Sequence, residues 1–269
     1  MNLIDIGCNL THDSFDDDRE QVIDAAHEAG VDRMIVTGAS AQGSRRALAL
    51  SLERPLELYA TAGVHPHHAS DYVAETDALL RELVSHEKVV AAGETGLDYF
   101  RDFSPRPAQQ RAFEAQMQIG VDSGLPMFLH LRDAHEDFYA MLKSRRDELG
   151  DVVVHCFTGS REEMYAYLDL DCHIGITGWI CDERRGEHMK AYMKDIPENR
   201  LMIETDAPYL KPRNLRPKVK SHRNEPRWLP WILGTLAACR EEHPAKLAAL
   251  TTANAERFFR LPEEELPGS

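Results

Sequence analysis

The chain has 269 residues, 43% hydrophobic and 28% charged, a size and composition that suit one globular domain spanning 1–269. Its net charge of −14 excludes binding of nucleic acid by overall attraction, so a phosphate-bearing substrate would need a local basic segment or a metal ion. No apolar run reaches the ~20 residues of a membrane helix and no signal-peptide pattern opens the sequence, so we expect a cytoplasmic protein without a membrane partner. The five dispersed cysteines suit neither a disulfide framework nor structural zinc. We further expect the protein to be a monomer.

Eight short apolar runs along the chain predict β-strands, at residues 3–7, 33–37, 58–64, 89–93, 126–130, 152–156, 173–177 and 201–205. Apolar residues at helical spacing predict the intervening helices, at 15–29, 44–52, 76–85, 109–121, 136–149, 161–168 and 186–194. Two further helices are predicted near the C-terminus, at 226–240 and 244–259. Strands that alternate with helices in this way are typical of the α/β class.

The count of eight strand–helix units predicts a closed (β/α)8 TIM barrel. The strand runs are continuously apolar, which fits strands that are covered on both faces. A doubly wound open sheet is the alternative, but no GxGxxG motif follows the first strand to support a dinucleotide fold.

Histidine and carboxylate side chains stand at the ends of the third to sixth and the eighth predicted strands: His65, Glu94, His130, His155, Glu204 and Asp206. The carboxyl ends of parallel barrel strands meet at one mouth, so we expect these side chains to converge there. A single histidine at a strand end is more often structural, but a set of this kind predicts a site for Zn²⁺, Mn²⁺ or Mg²⁺.

Such a site supports hydrolysis, because a divalent ion lowers the pKa of water and a free carboxylate then takes the proton. Asp206 is predicted to be that base, or to bind the metal directly. Glu204 lies two residues earlier and is a second catalytic candidate, which either supports a metal ligand or turns into the packing.

Several motifs together resemble the TatD family of metal-dependent deoxyribonucleases, and in particular the branch that gives the family its name. They are GVHPH at 63–67, GETGLDY at 93–99, HLRDAHED at 130–137, HCFTGS at 155–160, GITGW at 175–179, ETDAPYL at 204–210 and RNEP at 223–226. The resemblance implies an amidohydrolase-like barrel that hydrolyses phosphodiester bonds. It further implies a 3′→5′ exonuclease on single-stranded DNA and RNA, with Mg²⁺ as the usual ion and Mn²⁺ or Zn²⁺ possible.

By position in these motifs, the resemblance implies that Glu94, His130, His155 and Asp206 are metal ligands and that His65 lies in the substrate pocket. One departure concerns the first strand, where many relatives carry a His-x-His pair. Gly7 and Asn9 stand at those two positions here. Because neither supplies an imidazole, we expect a weakened or absent second metal site and a lower demand for Zn²⁺.

A basic segment follows the eighth strand directly, with Lys211, Arg213, Arg216, Lys218, Lys220, Arg223 and Arg227. A run of cations is often only a solvated loop, but its position near the mouth predicts contact with a nucleic-acid backbone. Arg132, Arg184 and Arg223 are the predicted phosphate ligands beside His65. Aromatic residues beyond strand ends are candidates for stacking on bases or for plain packing: Tyr99, Phe100, Trp179 and Tyr209.

Two other functions fit parts of this pattern. A metal-dependent amidohydrolase or esterase acting on a small molecule would use the same ligands, although the basic segment favours a polyanionic substrate. The second alternative is a barrel that is not an enzyme and binds its ion for structural reasons only. Structural metal sites, however, are usually closed and rich in cysteine.

Overall fold

The computed structural model describes residues 2–262 of the chain. Within them, eight parallel strands form a single sheet whose spatial order follows the chain order. The strands are β1 (Leu3–Cys8), β2 (Val31–Val36), β3 (Leu58–Ala62), β4 (Val89–Asp98), β5 (Met127–Arg132), β6 (Val152–Val154), β7 (His173–Ile176) and β8 (Leu201–Ile203). The predicted barrel is confirmed, and the open doubly wound alternative is excluded by this strand order.

Helices connect successive strands on the outside of the sheet: α1 (Arg19–Glu28), α2 (Ala41–Glu53), α3 (Ala74–Leu83), α4 (Arg106–Ser123), α5 (His135–Arg145), α6 (Arg161–Asp169) and α7 (Glu187–Lys190). The last two, α8 (Leu229–Arg240) and α9 (Pro244–Phe259), follow β8. None of the helices described combines the length and the apolar character that crossing a bilayer demands.

The barrel is closed between β1 and β8 at the end that carries the candidate site. The Asp206 amide donates to the Gly7 carbonyl at 2.8 Å, and the Asn9 amide donates to the Ala207 carbonyl at 2.6 Å. Below these bonds, the buried Asp5 carboxylate accepts the Thr205 amide at 2.9 Å and the Thr205 hydroxyl. The residues of the first strand and those that follow the eighth strand are thereby fixed around the site, because buried backbone donors need partners.

Two apolar cores lie on opposite faces of the strands. Residues that alternate along β1 and β2 belong to different cores, so Met34 and Val36 pack toward the helices while Ile4 and Ile35 fill the interior. The interior core ends on Phe258 of α9, which closes the barrel at the amino ends of the strands. The opposite mouth is therefore the end left for polar groups.

The predicted and observed bounds of most elements differ by a few residues, and three elements show the largest changes in kind or extent. The helix predicted at 15–29 begins at Arg19, after a short 3-10 turn at Asp13–Phe15. The helix predicted at 186–194 is only the single turn α7 followed by a 3-10 turn at Met193–Asp195. The fourth strand continues beyond its predicted end at residue 93 as far as Asp98, across a bulge at Glu94, because Gly96 and Leu97 keep pairing with β5.

His173, at the start of β7, is a buried histidine far from the mouth. Its Nε2 lies 3.5 Å from the Arg200 guanidinium, and its ring meets that of Phe258 edge to face. Burial, followed by the positive charge of Arg200, lowers the pKa of His173 to about 4. The folded protein therefore resists protonation of a group that protonates freely near pH 6.5 in the unfolded chain.

We expect this histidine to make the protein sensitive to acid. Because the unfolded chain binds the proton first, the free energy of unfolding should fall by about 2 kcal/mol between pH 7 and pH 5 through this group alone. His173→Gln should remove that part of the loss. Urea unfolding of both proteins at the two pH values measures it, and an unchanged acid sensitivity in the variant would contradict the assignment.

Candidate metal centre

One carboxylate oxygen gathers three imidazole groups at the mouth of the barrel. Glu94 Oε1 lies 2.8 Å from His155 Nε2, 3.0 Å from His130 Nδ1 and 3.5 Å from His65 Nε2. Glu94 lies at the β4 bulge, His130 lies on β5, and His155 is the residue that directly follows β6. The fold thus brings together four of the predicted site residues from four separate strand ends.

His130 and His155 are the inner histidines of the centre, and a further carboxylate contacts the second ring nitrogen of each. His155 Nδ1 lies 3.2 Å from Glu204 Oε2, and His130 Nε2 lies 3.3 Å from Asp98 Oδ2. Each ring therefore presents one nitrogen to Glu94 and has its orientation fixed through the other. Carboxylates commonly hold metal-binding histidines in this way, because the outer bond sets which nitrogen is free to bind an ion.

Glu204 is completely buried in a slot inside the barrel. Its Oε1 accepts the Cys156 amide, while Oε2 faces His155. Glycines form the two walls of this slot, since a Cβ on Gly7 would lie 2.5 Å from Oε2 and a Cβ on Gly175 would lie 2.6 Å from Oε1. Gly7 is therefore needed to make room for this carboxylate, and the carboxylate has no free oxygen directed at the mouth.

The outer part of the centre holds His65, His67 and Asp98. His67 Nε2 lies 2.9 Å from Asp98 Oδ2, and the His65 ring centroid lies 4.2 Å from those of both His67 and His130. In the part of the chain that the structure describes, two groups of three residues have the spacing needed to hold an ion: His65 with Glu94 and His130, and His65 with His67 and Asp98.

Asp206 lies at the seam between β1 and β8. Its Oδ1 accepts a hydrogen bond from Asn9 Nδ2 at 3.0 Å. Burial raises the pKa of Asp206 to about 7, with an opposing effect of His155 and a reinforcing one of Glu94, so the carboxylate lies within electrostatic reach of both. Asn9, one of the two residues at which the sequence departs from the His-x-His pair, thus contacts a predicted ligand.

The charges of the inner groups are strongly coupled. Burial would lower the pKa of His155, but Glu204 and Glu94 outweigh it and hold this pKa well above its ordinary value. Burial would raise the pKa of Glu94, but His65 and His155 hold it well below its usual range. Without an ion, the carboxylates at the centre are balanced by protonated imidazole.

This charge pattern fits a divalent cation. Within residues 2–262, the ion pairs of Glu94, Asp98 and Glu204 involve histidine alone, with neither lysine nor arginine. Buried carboxylates that lack a permanent cation are costly unless they bind a metal or a proton. Nitrogen and carboxylate oxygen on one open side are also the donors that hydrolytic metal sites use.

Left-handed backbone conformations follow three strands at this mouth. Asp133, Cys156 and Asp206 have φ values of 51°, 46° and 53°. Such conformations cost on the order of 1 kcal/mol for residues other than glycine and cluster at functional sites. They turn the chain sharply just after β5, just after His155 and just after β8, which directs the site residues inward.

Most of the basic segment is paired within the protein. Arg223 forms bonds of 2.8 and 2.6 Å to Asp18, and Arg213 bonds Glu183 at 3.0 Å. Arg227 lies 2.8 Å from Glu225, and the Lys211 ammonium donates to the Val219 carbonyl. These contacts give the segment a structural explanation, and phosphate binding by Arg223 stays a prediction.

The other two predicted arginine ligands line two different pockets. Arg184 is 63% exposed, with its Nε 3.4 Å from Asp182, and it lines a basic pocket with Lys218 and Lys220. Arg132 lines a larger cavity and lies over the Phe100 and Trp179 rings. Of the other stacking candidates, Tyr99 bonds Asp137 while Tyr209 is 52% exposed.

Asp98 and His67 belong to the centre but were not among the residues singled out from the sequence. Both lie inside motifs that the sequence displays, GETGLDY and GVHPH. The signal that could have found Asp98 is its place four residues after Glu94 on an extended strand, which lets both side chains reach one histidine.

Comparison with known proteins gives one consistent picture. The family model described as TatD related DNase matches residues 4–260. A protein of Erwinia billingiae named 3′-5′ ssDNA/RNA exonuclease TatD is 48% identical over 260 residues, which cover 97% of this chain and 100% of that protein. Its namesake in Salmonella typhimurium is 47% identical over 96% of this chain and 99% of that protein.

Solved structures agree with this picture. The crystal structure of YJJV, a TatD homologue from Escherichia coli K12, superposes with a TM-score of 0.88 at 28% identity, covering 97% of this chain and 99% of that one. A hydrolase of the TatD family from Entamoeba histolytica has a TM-score of 0.84 at 27% identity, with 96% and 98% covered. Molinate hydrolase, at 13% identity and a TM-score of 0.58 over 96% and 73% of the two chains, shares the fold.

Proposed function

This chain belongs to the TatD family of related DNases, and on that premise we propose that it is a metal-dependent nuclease. It hydrolyses phosphodiester bonds of single-stranded DNA and RNA from the 3′ end. The observation that carries the proposal is the pair of histidines at Glu94, each oriented through its second nitrogen by a buried carboxylate. The names of the relatives supply the substrate and the direction.

Glu94, His130, His155 and Asp206 would hold the ion. We assign Mg²⁺, with Mn²⁺ and Zn²⁺ as alternatives, because Gly7 and Asn9 remove two imidazole donors that would favour zinc. When bound there, the cation lowers the pKa of water and neutralises charge on a phosphoryl oxygen.

The protein's own groups have separate tasks in this reaction. Asp206 accepts the proton of the attacking water, because the hydrogen bond from Asn9 engages its Oδ1 and leaves Oδ2 available. Glu204 and Asp98 orient His155 and His130 and do not touch the substrate. His65, buried with its ring centroid 4.2 Å from that of His130, donates one N–H to a phosphate oxygen.

The experiment that tests the function is digestion of 5′-labelled single-stranded DNA and RNA with Mg²⁺, Mn²⁺ or Zn²⁺. We expect a ladder that shortens stepwise from the 3′ end, which excess EDTA abolishes and added metal restores. A 3′-labelled copy of the same strand should release labelled mononucleotide first. Absence of cleavage with every ion would contradict the proposal and favour a small-molecule amidohydrolase or esterase.

A further inference from the structure

A cavity of about 830 Å³ opens beside the metal centre, at the carboxyl ends of β5, β6 and β7. Leu131 and Val154 form part of its wall, and they are the sequence neighbours of His130 and His155. The cavity therefore opens beside the strand ends that carry these histidines, and none of the proposed metal ligands lines it. Its volume lies in the range of small-molecule sites and accommodates a nucleotide.

Arg132 stands on this wall in a fixed orientation. Its guanidinium carbon lies 5.1 Å from the centre of the Phe100 ring and 4.7 Å from that of Trp179. Arg185 lies 4.2 Å from the same Trp179 ring, so the four side chains form one stack of cations and rings. A guanidinium held over aromatic rings loses little further freedom when its N–H groups bind a ligand.

Among residues 2–262, no carboxylate lies within hydrogen-bond distance of the Arg132 guanidinium. Its nearest carboxylate oxygen, on Asp133, is 3.7 Å away, and its NH1 group donates to the Thr158 hydroxyl at 3.3 Å. Its Nε is a buried atom that has no hydrogen-bond partner among the residues described. By contrast, Arg185 next to it bonds Asp182 at 2.7 Å. Arg132 is thus a cation in need of an acceptor, two residues after His130 on one strand.

We propose that this cavity binds the nucleotide next to the one that is released. Arg132 binds the phosphate of that neighbouring nucleotide, which is not the phosphate that is cleaved. The inference rests on the proposed nuclease function. A phosphate supplies the hydrogen-bond acceptors that the planar guanidinium group of Arg132 lacks. The lining also includes Glu136, Asp137 and Glu163, whose carboxylates suit the hydroxyl and amino groups of a sugar and a base.

Kinetics on two substrates test the subsite. A single-stranded oligonucleotide reaches into the cavity, whereas bis(4-nitrophenyl) phosphate has one phosphodiester and no neighbouring phosphate. We expect Arg132→Ala to lower kcat/KM for the oligonucleotide about 30-fold, mainly through KM, because charge-assisted hydrogen bonds are lost. The small diester should be hydrolysed at nearly the wild-type rate. Arg132→Lys should recover only part of the loss, since lysine keeps the charge without the fork.

The matched control is Arg111→Ala, which removes an exposed arginine from the outer surface of α4 and should change neither substrate. Equal losses on both substrates, or no loss on either, would overturn the subsite while leaving nuclease function intact. Failure of the wild-type protein to cleave any oligonucleotide would instead overturn the proposed function.

Binding without metal gives a second readout. In EDTA, the affinity for a labelled oligonucleotide can be followed by fluorescence anisotropy over a range of salt concentrations. Each phosphate contact on a single strand contributes about 0.7 to the slope of log affinity against log salt. We expect Arg132→Ala to reduce the slope by about that amount and Arg111→Ala to leave it unchanged. An unchanged slope for Arg132→Ala would refute the phosphate contact.

Discussion

Replacing His155 by alanine should abolish phosphodiester hydrolysis, lowering kcat/KM by about 10³-fold or more. The imidazole lies between Glu94 Oε1 and Glu204 Oε2, at 2.8 and 3.2 Å, and supplies one of the donors for the ion. Without this imidazole the ion is bound poorly, and the reaction loses the several kcal/mol by which a metal ion stabilises negative charge in the transition state. Stopped assays on a labelled oligonucleotide at saturating Mg²⁺ measure the effect.

The fold should survive this change. Two carboxylates lose a shared buried partner, so we expect the free energy of unfolding to fall by about 3 kcal/mol, which a domain with about 5–15 kcal/mol of stability tolerates. His173→Gln is the matched control, because it alters an equally buried histidine at the opposite end of the barrel and should keep full activity. Substantial activity in His155→Ala, with cooperative unfolding by urea, would refute the proposed centre. If the alanine variant does not fold, His155→Asn provides the same test with a polar group retained.

Glu204→Gln should weaken metal binding by about 10- to 100-fold, although the carboxylate itself is not a proposed ligand. One glutamate oxygen accepts the Cys156 amide, so the glutamine oxygen has to remain there. The glutamine NH2 then faces His155 Nδ1 and requires it to be an acceptor. The ring proton moves to Nε2, the nitrogen that faces Glu94, and the tautomer that binds an ion is lost.

Titration calorimetry with Mn²⁺ and Mg²⁺ measures this affinity directly, without reliance on turnover. The control is Glu256→Gln, which removes a carboxylate paired with Arg33 at the closed end of the barrel and should leave metal affinity unchanged. Activity of Glu204→Gln should recover in part as the metal concentration rises. Wild-type affinity in Glu204→Gln would show that the slot serves packing alone, and equal weakening in both variants would indicate a general loss of stability.

The barrel was predictable because its signal is local. Each buried strand is a short apolar run between helical patterns, and eight such runs in order leave few topologies. The convergence of Glu94, His130 and His155 followed from the same rule, since parallel strands place their carboxyl ends together. The end of β4 was mispredicted because pairing with β5 continues beyond the Glu94 bulge, whereas the apolar run that marked the strand ends at residue 93.

Charge in the basic segment shows the limit of a linear pattern. Seven cations between Lys211 and Arg227 suggested a free phosphate-binding surface. Arg223 instead meets Asp18, which is 205 residues away in sequence, and Arg213 meets Glu183. Arg132, which no run of charge marks, instead has its nearest carboxylate oxygen among residues 2–262 at 3.7 Å, on Asp133.

The sequence by itself determined the order of strands and helices and the kinds of donor at the strand ends, because both depend on residues close together in the chain. Only the tertiary structure decided which nitrogen of each histidine faces Glu94, that Asp98 and Glu204 hold the other nitrogens, and that Gly7 gives Glu204 its space. These contacts join residues from different strands, so they exist only after the barrel closes, and burial then sets the charge that each group carries.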